Sequence, residues 1–144
     1  MCSKKTKIKK IFIIGLAFLF STACKKDTSQ VVPYVQVNVI LNIATDLASL
    51  GVNSAMVCPQ QGGYKGIIIY RANPNEFKAY ERLCTNYPND TCAIAIENGN
   101  IIGTCPCCKS QFELITGYVN RGPASLPLKQ YQTSVEGGRL YITN

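Results

Sequence analysis

The sequence predicts an all-β domain of small, stacked antiparallel sheets, and three observations carry that reading. Apolar residues recur at every second position, tight-turn dipeptides separate the apolar runs, and a single short stretch has a helical pattern. Val35, Val37 and Val39 alternate with polar residues and form the first half-buried strand. Thr45 to Leu50, closed by Gly51, is the one candidate for a helical turn or two. Gly66 to Tyr70 is continuous and β-branched, a strand covered on both faces, bounded by Gly62-Gly63 and by Asn73-Pro74-Asn75. Asn98-Gly99 joins Ala93 to Ile96 with Ile101-Ile102 as a tight hairpin. Gly117 to Pro127 is rich in Gly and Pro and reads as an ordered loop. Tyr131, Thr133 and Val135 then alternate, and Gly137-Gly138 turns this strand into Arg139 to Ile142. Eight or nine strands are expected in all.

Before this body lies a segment of another kind. Lys4, Lys5, Lys7, Lys9 and Lys10 precede the apolar run Ile11 to Phe20, which has the charged start and short apolar middle of a secretory signal and is short for a membrane span. The run ends in Ser21-Thr22-Ala23-Cys24 and gives way to polar Lys25 to Gln30. Small residues leading into a Cys resemble the lipobox of bacterial lipoproteins, with Ser21 where Leu is commonest. The resemblance implies a signal peptide over 1–23, cleavage before Cys24, acylation of that Cys and loss of Cys2. It leaves a tether over 24–34 and a single domain over 35–144 in the cell envelope, facing the periplasm or held at the outer membrane. Lys25 after the Cys favours the outer membrane.

Composition narrows the chemistry. With 144 residues, 47% of them hydrophobic, the chain makes one compact domain with short extensions, and no internal repeat is visible. The net charge of +7 rests on the five leader lysines; without them ten basic residues face eight acidic ones, and no nucleic-acid partner is expected. There is no His, which excludes Ser-His-Asp and Cys-His catalysis and imidazole metal ligands. Glu76, Glu81, Asp90, Glu97 and Glu113 fall on turns and alternating strand positions and read as solvated charge rather than a hydrolase pair. The eight Tyr are accounted for mostly by strand propensity.

What remains is cysteine. Beyond Cys24 the chain has Cys58, Cys84, Cys92, Cys105, Cys107 and Cys108, five of them between 84 and 108. Cys84-Thr85-Asn86 and Cys105-Pro106-Cys107-Cys108-Lys109-Ser110-Gln111-Phe112 resemble the two cluster boxes of Rieske iron–sulfur domains, C-x-H and C-x-x-H, the second commonly continuing C-P-C-H-G-S-x-F or Y. Arg121 to Leu128 resembles the family's proline loop over the cluster, and Tyr131 to Ile142 its closing hairpin.

The resemblance implies a Rieske-type fold with a cluster-loop subdomain, a [2Fe-2S] cofactor and one-electron transfer with a redox partner protein. Cys84 and Cys105 match the two thiolate ligands, while Asn86 and Cys108 stand where the imidazoles belong. Cys108 is a ligand iron accepts; Asn86 is not, so a cluster draws its fourth donor from Cys107 or Cys92. Ser110 matches the residue that hydrogen-bonds a bridging sulfide, and Phe112 stands where a Tyr hydroxyl can bond a ligand sulfur. The family's loop disulfide implies Cys92 paired with Cys107. The residues themselves leave other readings open. Six Cys in an exported domain allow about 15 pairings, a Cys₄ zinc site is chemically easy, and a metal-free module stapled by disulfides keeps the fold without the chemistry. Cys58, isolated before Pro59, reads as a buried thiol. Catalysis by this chain alone is not expected, since it lacks the domain that Rieske-dependent oxygenases use to activate oxygen.

Overall fold

The structure, a computed structural model, describes residues 32–86, 92–96 and 101–144. The signal segment, Cys24, most of the tether, the Asn98-Gly99 turn, Asp90 and Glu97 lie outside the described residues. Ten strands are described: β1 Asn38–Asn42, β2 Ser54–Val57, β3 Ile67–Asn73, β4 Glu76–Glu81, β5 Ala95–Ile96, β6 Ile102–Thr104, β7 Gln111–Glu113, β8 Val119–Arg121, β9 Gln130–Glu136 and β10 Arg139–Thr143. All pair antiparallel, in a six-stranded sheet of order β1-β10-β9-β4-β3-β2 and a four-stranded sheet of order β5-β6-β7-β8. Among the described residues there is no helix, and hence none long and apolar enough to cross a membrane. The class is all-β.

Period two builds both sheets. On β1, Val39 and Leu41 point inward opposite Ile142 and Leu140 of β10. The side chain of Asn144 extends this edge, accepting from the Val37 N–H at 3.0 Å and donating to the Val35 carbonyl at 2.8 Å. On β3, Ile67 and Ile69 enter one apolar cluster with Leu41, Leu47 and Ile142, while Ile68 and Tyr70 enter a second with Ile94, Phe112 and Leu114. A strand covered on both faces must be apolar throughout, which is why this run shows no alternation. Gly137 and Gly138 take φ of 54° and 74°, the left-handed pair that a two-residue hairpin between right-twisted strands requires.

Three expectations need correction. Thr45 to Leu50 is a series of turns rather than a helix. The Asp46 N–H goes to the Asn42 carbonyl at 2.8 Å and the Leu50 N–H to the Leu47 carbonyl at 2.9 Å, single turns rather than a run of helical bonds, while the Asp46 and Asn42 side chains accept from the Asn42 and Ala44 N–H groups at 2.8 and 2.9 Å. The turns drop Leu47 and Leu50 into the core. The segment from Gly117 to Pro127 is ordered but contains β8, which a sequence without alternation does not announce.

Glu81 is the third and largest correction: it is fully buried, not solvated. Its Oε2 accepts from the Tyr64 N–H and the Tyr131 hydroxyl, each at 2.6 Å, and its Oε1 from the Lys65 and Leu83 N–H groups, each at 2.9 Å. One side chain thereby closes the loop before β3, the end of β4 and the start of β9 on a single point. Burial, then this bond, pushes the Tyr131 phenol well above its ordinary range.

Glu81→Gln turns one of the two acceptor oxygens into a donor facing two donors. Chemical denaturation is expected to show a loss of about 3 kcal/mol, at one to three per buried group left unpaired. Glu76→Gln, on an exposed position, is the control and changes stability by no more than about 0.5 kcal/mol.

Candidate metal centre

Three loops leave the sheets and meet. The first follows β4. Glu81 holds the Leu83 N–H, Leu83 bridges to Ala93, and the Cys84 N–H donates to the Cys92 carbonyl at 2.9 Å. Cys84 and Cys92 are thus set side by side on paired backbones. The second loop follows β6 and closes on itself, Cys105 N–H to Ser110 carbonyl at 2.8 Å and Lys109 N–H to Cys105 carbonyl at 2.9 Å. Lys109 takes φ of 61° to complete this turn. Pro106 fits it because a proline there has no N–H to satisfy.

The third loop lies over the second. Gly122, at φ 110°, packs on the Ser110 backbone, where a Cβ would stand 2.5 Å from the Ser110 Cα. Only glycine allows that approach. The Ala124 N–H then donates to Ser110 Oγ at 3.0 Å, and Thr85 Oγ1 donates to the Leu126 carbonyl at 2.8 Å, tying the third loop to the other two. A disulfide between Cys92 and Cys107, with Cα atoms 6.3 Å apart, fastens the first loop to the second.

Inside this clamp the Sγ atoms of Cys84, Cys105 and Cys108 all lie within 4.8 Å of one another, with Cys84 and Cys108 at 3.6 Å. All three are free thiols. Cys84 and Cys105 are fully buried and Cys108 is partly exposed. Cys105 has a second set of neighbours, since its Sγ also lies within 4.8 Å of both disulfide sulfurs. Cys58 is free and buried in the other core cluster, where burial pushes its thiol up.

The three thiols differ in acidity because their surroundings differ. Burial, then hydrogen bonding with Cys105, pushes Cys84 up to about 12, against a hydrogen bond from the Asn86 backbone. At Cys108 burial also raises the value, but hydrogen bonds from the Ser110 side chain and backbone, and from Cys105 and Cys84, outweigh it and bring the thiol down to about 7. Ser110 Oγ lies 3.0 Å from Cys108 Sγ and is itself fully buried.

Converging thiols suit soft, thiophilic metals: zinc, copper(I) or iron–sulfur clusters. By donor type the pocket fits a thiolate-bound iron–sulfur group; it does not fit a His-ligated one, since the chain has no His. Asn86 is partly buried and meets the centre through its backbone, which hydrogen-bonds to Cys84. Cys92 and Cys107, the two candidates for a fourth donor, are spent on each other in the disulfide. Phe112 is fully buried in the second core cluster and brings no hydroxyl.

No protein-family model matches the chain, and no curated protein matches it. Solved structures do. One is a chain of the complex of reduced oxygenase and oxidized ferredoxin in carbazole 1,9a-dioxygenase, with a TM-score of 0.52, 18% identity, and coverage of 77% of this chain and 94% of that one. Another is the ferredoxin of Sphingomonas yanoikuyae B1, with a TM-score of 0.50, 22% identity, and coverage of 69% and 93%. The likeness shows a Rieske-like domain fold.

Because the thiolate is the nucleophile, iodoacetamide added to the metal-free, unreduced protein is expected to label Cys108 first among the site cysteines. Its rate should reach half its maximum near the thiol's value of about 7. Peptide mapping by mass spectrometry should find Cys84 and Cys105 labelled only after unfolding. Ser110→Ala should move the Cys108 midpoint to higher pH; an unchanged midpoint would show that the Ser110 hydroxyl does not hold the thiolate.

Proposed function

We propose that this chain is an electron-transfer module of the cell envelope: a Rieske-like domain, tethered to a membrane through acylated Cys24, that carries a thiolate-bound [2Fe-2S] group and exchanges electrons with a partner protein. The observation that carries the reading is the convergence of Cys84, Cys105 and Cys108 within 4.8 Å on loops of this fold. A ferredoxin among its structural neighbours was solved together with an oxygenase, which supports a redox partner. The cationic and apolar leader ending in Cys24 supports the tether.

Cys84, Cys105 and Cys108 would hold the group. When bound it supplies one-electron chemistry, and with thiolates in place of imidazoles its potential lies below that of a His-ligated cluster, because thiolate charge favours the oxidised irons. The protein's own residues set the surroundings. Full burial of Cys84 and Cys105 keeps water from two of the three sulfurs. Hydrogen bonds from Ser110 to Cys108 and from the Asn86 backbone to Cys84 neutralise part of the thiolate charge. Cys108, the partly exposed member, offers the shortest path for an electron to a docked partner.

A second reading is favoured by one observation, the Cys92–Cys107 disulfide, which already fastens two of the loops without metal. In that reading the chain is a stapled binding or structural module. Iron, acid-labile sulfide and zinc, measured per chain on full-length protein purified anaerobically in detergent, separate the two. The electron carrier requires about two irons, matching sulfide and visible charge-transfer bands. A colourless protein without metal would overturn it in favour of the stapled module, and zinc alone would overturn electron transfer.

A further inference from the structure

We infer that the Cys92–Cys107 disulfide stores the fourth thiolate of this metal centre, and that its reduction by a dithiol converts a three-sulfur site into a four-sulfur one with Cys92 as the added ligand. The inference rests on the reading of Cys84, Cys105 and Cys108 as metal ligands and adds to it a condition for loading.

Cys105 is the hinge of the argument. Among the described residues two groups of side chains can hold a metal ion, Cys84-Cys105-Cys108 and Cys92-Cys105-Cys107, and they share Cys105. Four sulfurs are therefore gathered around that of Cys105. No carboxylate belongs to either group, and the chain has no His. A cluster or a closed zinc site takes four protein donors, and among the described residues the second group is the source of the missing one. While the disulfide stands, neither of its sulfurs has the thiolate charge that binds a metal.

The two disulfide sulfurs are not equivalent. Cys107 is exposed, and an incoming dithiol can reach it. Cys92 is 6% exposed and packs in the same apolar cluster as Cys84 and Cys105, with its carbonyl bonded to the Cys84 N–H. Attack of one thiolate of the dithiol on Cys107 Sγ breaks the Cys92–Cys107 bond and forms a mixed disulfide. The second thiol of the reagent then displaces Cys107, so that two electrons and two protons pass to the protein and the reagent leaves as a disulfide. Cys92 is freed inside the pocket and Cys107 outside it. The freed Cys92 thiol would then give up its proton and serve as the fourth ligand.

Cobalt(II) added to the full-length chain in detergent, with and without prior reduction by a phosphine that is removed before the metal, tests this. Each sulfur ligand adds to the thiolate-to-cobalt charge-transfer absorption. Reduction is expected to raise that absorption by about a third at one cobalt per chain, as three sulfurs become four. Cys107→Ser, which leaves Cys92 free, should give the stronger spectrum without any reductant. Cys92→Ser, which also lacks the disulfide, should keep the weaker one in both conditions. Equal spectra before and after reduction of the wild-type chain would overturn the stored-ligand inference and leave the three-thiol centre standing. A four-sulfur spectrum in Cys92→Ser would overturn the assignment to Cys92. No cobalt bound in either state would overturn the metal centre itself.

Discussion

The site depends on one buried carboxylate. Glu81 is the residue at which the chain leaves the six-stranded sheet, and its four hydrogen bonds hold the loop at Tyr64 and Lys65, the Tyr131 hydroxyl and the backbone of Leu83 to one point. Cys84 follows three residues after it, so the position of the first thiol is set by how firmly that carboxylate is held. Among the described residues the donors are three backbone N–H groups and one hydroxyl, with no cation. Such a network is costly to leave half satisfied, which makes it a rigid anchor for a loop that would otherwise be free to move.

Around that anchor the second constraint is the mutual clamping of three loops. Ser110 takes part in most of it. Its backbone closes the Cys105 turn, its hydroxyl receives the Ala124 N–H and lies against Cys108 Sγ, and its Cα receives Gly122. A residue that accepts from the covering loop and also faces a thiolate couples loop geometry to thiol acidity. The same hydroxyl that lowers Cys108 therefore also holds the covering loop in place. The thiols are brought together by the fold and not by a bond between them, since Cys84, Cys105 and Cys108 are all free. Soft donors held this close in a buried pocket suit a thiophilic metal by their chemistry.

Much of the fold is legible in the sequence because its signals are local. Alternation at Val35, Val37 and Val39, which announces a strand that the structure places at Asn38–Asn42, the unbroken run from Gly66 to Tyr70, and the paired glycines 137 and 138 each carry their own physical reason for a strand or a turn. The fold class follows from such signals, and the two Cys boxes from their resemblance to those of Rieske domains. What escapes is set by partners distant in the chain. Glu81 reads as surface charge because the residues that bury it lie 16 and 17 positions before it and 50 after it. The stretch around Thr45 reads as helix because its apolar spacing is helical, and separate turns that place Leu47 and Leu50 in the core share that spacing. Six cysteines leave their pairing open for the same reason: the union of Cys92 with Cys107 is decided by two loops meeting.

The central claim is that Cys84, Cys105 and Cys108 converge on one point in the folded chain, and arsenite tests it most directly. Trivalent arsenic binds three thiolates only where they already face a common centre, exchanging its three hydroxyls for sulfur with release of three waters. Native full-length protein, treated with arsenite, alkylated and mapped by mass spectrometry, should carry a single arsenic and lose the alkylation of Cys108, with Cys84→Ser and Cys105→Ser each abolishing the adduct. Alkylation of Cys108 at the same rate with and without arsenite, and no arsenic on the protein, would contradict the account.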